Sequence, residues 1–79
     1  MSATLANMEY VYVDILSADQ LMENDCIEFL DEDGAISIVE IQDIVSMKDS
    51  YLLIAKDEFG EVLEIELADD AKVKLYVLQ

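Results

Sequence analysis

The chain has no histidine, no tryptophan, no proline and no arginine, and it has one cysteine and two glycines in 79 residues. Each absence closes a class of chemistry. Without histidine there is no Ser-His-Asp or Cys-His nucleophilic system, no imidazole metal ligand and no imidazole proton shuttle near neutral pH. A single cysteine, Cys26, makes no intrachain disulfide and no thiolate zinc site. It reads as a small, half-buried hydrophobe in a reducing compartment. Four lysines stand against nineteen acids, for a formal net charge of −15. A surface of that sign repels phosphate, so neither direct nucleic-acid binding nor docking on an anionic membrane is expected. Met1 to Met8 carries no basic run and no long apolar stretch, and nothing in the chain approaches about 18 consecutive apolar residues. The expectation is a soluble cytoplasmic protein, in the host cytoplasm if the chain is viral.

What is present is hydrophobic mass. Apolar residues make up 54% of the chain, which separates it from disordered acidic tails. They also weigh against halophilic adaptation as the source of the charge, because such surfaces usually come with fewer large apolar residues. The length sets one small domain, read as residues 8–79 behind a flexible tail over 1–7.

The apolar residues recur with period two. Val11, Val13 and Ile15 fall on one face of a first strand, with Tyr10 and Tyr12 on the other. Ser17 caps a short helical turn, with Gln20 as its capping-box partner. Asn24 to Leu30 reads as a strand with Ile27 and Phe29 inward, closed by the turn Asp31-Glu32-Asp33-Gly34. Over Ala35 to Met47 the phase changes, and a β-bulge near Ile38 and Val39 would restore it. Lys48 to Ser50 is a turn.

Tyr51 to Lys56 and Glu61 to Leu67 flank Asp57-Glu58-Phe59-Gly60 as a hairpin. Pairing Lys56 with Glu61 sets Ile54 opposite Leu63 and Leu52 opposite Ile65. A second hairpin then sets Leu67 opposite Val73, Ile65 opposite Leu75 and Leu63 opposite Val77. The expected core is Val11, Val13, Ile15, Leu21, Ile27, Phe29, Ile36, Ile38, Ile41, Leu52, Ile54, Leu63, Ile65, Leu67, Val73, Leu75 and Val77. The fold class is all-β: a small antiparallel barrel of five or six strands with one short helical turn, closed or nearly so.

The run Ile15-Leu-Ser-Ala-Asp-Gln-Leu21, then Asn24-Asp25-Cys26-Ile27, an acidic glycine turn and a strand, resembles SH3-like small β-barrels and the barrel core of Hint-type modules. The likeness runs from about Ile15 to Leu78. Asn24 stands where the pattern has glycine, and asparagine also tolerates positive φ. The resemblance implies fold alone. Autoprocessing is not implied, because the chain lacks histidine and a nucleophile at the start of that core.

Three constellations bear on function. Asp31, Asp33, Gly34 and Glu40 echo a calcium-binding loop, but Phe29 occupies its first position and offers no oxygen; the plainer reading is an acidic hairpin turn. The carboxylates of Asp31, Glu32, Asp33, Asp57, Glu58, Glu64, Glu66, Asp69 and Asp70 form an acidic surface. Paired acids such as Asp57/Glu58 and Asp69/Asp70 fall in turns, where they are solvated rather than poised for acid-base work. Tyr10, Tyr12, Tyr51, Leu53 and Tyr76, with Val62, point away from the expected core and form a partner-binding surface.

The expected function is therefore a non-enzymatic protein-interaction or structural module, of the kind a bacteriophage or mobile element uses as an accessory protein. The alternative is an acidic nucleic-acid mimic that inhibits a DNA- or RNA-binding protein by filling its basic groove. Neither reading requires a cofactor, a resident metal, nucleic acid or a membrane. Both imply a protein partner, and the first allows a homo-oligomer.

Overall fold

The computed structural model describes residues 9–78. The 1–7 tail lies outside the described residues. Six strands follow: β1 (Tyr10–Ser17), β2 (Cys26–Leu30), β3 (Ile36–Ser46), β4 (Ser50–Lys56), β5 (Val62–Ala68) and β6 (Lys72–Leu78). One 3₁₀ turn (Ala18–Gln20) separates β1 from β2. There, Gln20 Oε1 accepts the Ser17 N–H at 3.0 Å, the return half of the expected capping box.

The strands form one antiparallel sheet in the order β1-β6-β2-β3-β4-β5. The all-β class and the strand count agree with the sequence reading, but the sheet is not closed. β1 and β5 are its two edges and share no ladder. One cause lies in β1. The Ile15 N–H bonds to Asp14 Oδ1 at 2.8 Å and the Ser17 N–H to Gln20, so side chains already occupy donors that a closing strand would need.

Two matching turns set the hairpins. In Asp31-Glu32-Asp33-Gly34 and Asp57-Glu58-Phe59-Gly60, the aspartate carboxylate accepts two backbone N–H groups at 2.9 Å each: Asp33 and Ala35 in the first, Phe59 and Glu61 in the second. Gly34 and Gly60 sit at φ 84° and 85°, where a side chain would be strained. The loop of the second turn is three residues long, because the Asp57 N–H donates to the Glu61 carbonyl. That closing pair moves the β4–β5 register one residue from the expected one. Ala55 faces Leu63 and Leu53 faces Ile65, while Ile54 and Leu52 face Glu64 and Glu66 on the other side of the sheet.

Three more expectations are corrected. β5 and β6 do not form a hairpin: at Ala68–Ala71 the chain turns, leaves the β5 edge and inserts β6 between β1 and β2. That corner is anchored by the Ala18 N–H to the Ala71 carbonyl at 2.9 Å and the Asp69 N–H to the Asp49 carbonyl at 3.3 Å. The bulge in β3 falls at Gln42, between Ile41 and Asp43, not near Ile38 and Val39. A bulge at Val13 in β1 breaks the alternation of Val11, Val13 and Ile15, and it is Leu16 that returns to the inner face opposite Val73.

The core that results is Leu21, Ile27, Val39, Ile41, Leu53, Ala55 and Ile65, backed by Leu16, Phe29, Ile44, Tyr51, Leu63, Leu67, Val73 and Leu75. Val11, Val13, Ile15, Ile36 and Val77, expected inside, are exposed, while Ile38, Leu52 and Ile54 are half-buried outside the cluster. Asn24 takes φ 75°, the left-handed conformation that asparagine tolerates. Among the described residues no helix is long and apolar enough to cross a membrane.

Candidate interaction surface

β2 pairs with β6 at two rungs only, Cys26 with Tyr76 and Ile27 with Leu75. Beyond Tyr76 the β1–β6 ribbon loses its β2 neighbour, and its end borders a groove shared with Asn24, Glu40, Lys56 and Glu58. There Tyr10 pairs with Leu78 and Val11 with Val77. Large apolar groups are left 36–51% exposed on both faces of the ribbon: Tyr10, Tyr12, Ile15 and Leu78 on one, Val11 and Val77 on the other, and Val13 at the bulge. Exposed apolar area of this kind, gathered on two paired strands, marks an association surface more strongly than scattered single residues do.

The expected partner-binding residues separate into two groups. Tyr10, Tyr12 and Tyr76 come together on one face of the ribbon. The Tyr12 and Tyr76 rings meet edge to face, with centroids 6.0 Å apart. Tyr51 and Leu53 belong elsewhere: Leu53 is 0% exposed at the centre of the core, and Tyr51 packs against the same cluster. The register shift at the Asp57 turn puts both on the inner face. Val62 is outward as expected. The residues missed by sequence reasoning are Val11, Val13, Ile15, Val77 and Leu78. A signal for them exists in Asp14, an acid inside an apolar strand. The same Asp-Ile pair recurs at Asp43-Ile44, and there too the aspartate Oδ1 accepts the next N–H, at 2.9 Å beside a bulge.

Beside the ribbon lies an open groove of about 470 Å³, lined by Tyr10, Cys26, Glu40, Lys56, Glu58 and Tyr76 among others. Its thiol and its two phenols are shifted toward their neutral forms. Burial raises the Cys26 thiol, helped by the Glu40 and Asp25 carboxylates. Burial also raises the Tyr10 phenol, with Cys26, Glu58 and Glu40 adding to it. The hydrogen bond from Tyr76 to Glu28 raises the Tyr76 phenol. A thiol raised in this way is a poor nucleophile at neutral pH.

The acids do not converge. Asp31 and Asp57 are half-buried, with their carboxylates occupied by the turns. Glu32, Asp33, Glu58, Glu64, Glu66, Asp69 and Asp70 are exposed. The calcium-loop reading fails on topology: Asp31 and Asp33 sit in the β2–β3 turn, whereas Glu40 lies well along β3, opposite Cys26 and Lys56. No group of three or more candidate ligands for a metal occurs among the described residues. They contain one ion pair, Lys74 Nζ to Glu28 Oε2 at 3.9 Å, so the acidic field is largely uncompensated. The chain matches no family model, no curated protein and no solved structure.

Proposed function

We propose that this protein is a non-enzymatic interaction module that binds a protein partner through the β1–β6 ribbon. The observation that carries this reading is the clustering of Tyr10, Val11, Tyr12, Val13, Ile15, Val77 and Leu78, all at least a third exposed, on two paired strands. The acids around it keep the protein dispersed and select against acidic partners. Apolar contact predicts binding that persists as salt is raised. The test is capture of the bound partner at 50 and 500 mM NaCl with the parent chain and with Tyr12→Ser. Retention at high salt and loss in the variant support the reading, and elution by salt alone overturns it.

The uncompensated acidic field favours a second reading, an acidic mimic filling a basic groove. That reading predicts the opposite salt response, with affinity falling steeply between low and moderate salt, and competition by a polyanion. We read the fold itself as an opened SH3-like small barrel. In support, the first and last strands lie side by side and β2 to β5 run as a meander.

A further inference from the structure

The two edges of the sheet are unlike each other. On β1, side chains hold the Ile15 and Ser17 N–H groups, and the bulge at Val13 breaks the strand. On β5, no bulge interrupts the pairing with β4, and among the described residues no side chain bonds to the backbone of Val62–Ala68. In an antiparallel pair, roughly half of an edge strand's N–H and C=O groups point away from its neighbour. β5 therefore presents a regular, uncapped edge.

The side chains of that edge alternate strictly. Leu63, Ile65 and Leu67 lie on the inner face against the core, and Glu64 and Glu66 lie on the outer face beside Ile54 and Leu52. We infer that β5 is a strand-addition site for an extended segment of a partner protein in which lysine or arginine alternates with apolar residues. Its apolar residues would extend the inner face, and its cations would stand opposite Glu64 and Glu66.

Charge decides the occupant. A second copy pairing most of β5 with β5, apolar faces together, sets glutamate against glutamate, for example Glu64 opposite Glu66 when the two-fold passes through Ile65. Each copy also brings a net charge of −15. The chain contains its own instance of the complementary pattern in β6, Lys72-Val73-Lys74-Leu75, where Lys74 reaches Glu28 on the neighbouring strand. This edge is separate from the β1–β6 ribbon and stands or falls without it.

The test uses two nine-residue peptides of the same lysine and valine composition, one alternating and one with the lysines in a block. Each is titrated into the isotope-labelled full chain and followed by amide NMR. The alternating peptide should bind at least about tenfold more tightly, with shifts and new exchange protection concentrated on Val62–Ala68. Glu64→Lys with Glu66→Lys should abolish that advantage, whereas Asp69→Lys with Asp70→Lys, the same change of charge, should keep it. Equal binding of the two peptides, or equal loss in the two double variants, would show general attraction to an acidic surface and overturn the inference. A rise to dimer mass in sedimentation when no peptide is present, with β5 amides newly protected, would also overturn it by naming a second copy as the occupant.

Discussion

Tyr76 donates its hydroxyl proton to Glu28 Oε1 across 2.8 Å, while Lys74 approaches the other oxygen of the same carboxylate. The two contacts hold β6 to β2 where their ladder has only two rungs. They also tie the phenol's protonation to the fold.

The bond to Glu28 raises the Tyr76 phenol above the ordinary tyrosine value of 10.0. A proton held more tightly in the folded state stabilises it below that value, and the contribution is lost as the pH rises past it. Absorbance titration at 295 nm should resolve two late phenols, Tyr10 and Tyr76, of which Tyr76→Phe removes one and Glu28→Gln moves the same one down. An unchanged titration in Glu28→Gln would detach the shift from this contact.

The register of β4 predicts a contrast between neighbours. Leu53→Ala opens a cavity in the core and should cost about 2–5 kcal/mol in urea unfolding. Leu52→Ala, on the half-buried outer face beside Glu66, should cost clearly less. The reverse order would restore the register read from the sequence.

Asp31 and Asp57 each accept two backbone N–H groups in equivalent turns. Replacing either by alanine should destabilise the fold by about 1 kcal/mol, the net value of such bonds. Gly60→Ala should cost about 1–2 kcal/mol, because φ there is 85°. Chemical denaturation of the three variants against the parent checks both magnitudes.

Cys26 should alkylate slowly at neutral pH. Its thiol is raised first by burial and then by Glu40 and Asp25, so the rate should climb through a midpoint above 9.0, the ordinary value for the group. Glu40→Gln removes part of the cause and should shift the midpoint down. A midpoint unmoved in that variant would assign the whole effect to burial.

With a formal charge of −15 and a single ion pair among the described residues, self-repulsion opposes the compact state. Raising NaCl from 25 to 500 mM shortens the Debye length from about 20 Å to about 4 Å. The urea midpoint should rise across that range, and a flat response would mean the acids are spaced too widely to matter.

The alternation of apolar residues made the strands legible, and the two Asp-x-x-Gly segments made their turns legible. What was not legible is how those pieces pair. The one-residue shift between Ile54–Leu63 and Ala55–Leu63 turns on whether the loop has four residues or three, and an aspartate carboxylate decides that. The Val13 bulge was hidden because Val11, Val13 and Ile15 are equally apolar, so alternation alone gave no reason to break the strand. The passage of β6 to the far side of β2 depends on contacts between ends of the chain, which local pattern does not encode. Of the candidate surface, Tyr10, Tyr12 and Tyr76 were legible as outward groups of period-two strands. Tyr51 and Leu53 were misplaced by the same one-residue shift.

Among the described residues β1 has a single ladder partner, β6, the sixth strand in chain order. During synthesis β1 must wait, unpaired and rich in valine and tyrosine, until β6 has left the ribosome. Contacts of long sequence separation, such as Tyr10 with Leu78, slow folding and lengthen the time for which the nascent chain is prone to aggregate. A chain cut before Lys72 would strand β1 permanently, so translational stops ahead of β6 should yield insoluble product rather than a slightly weakened protein.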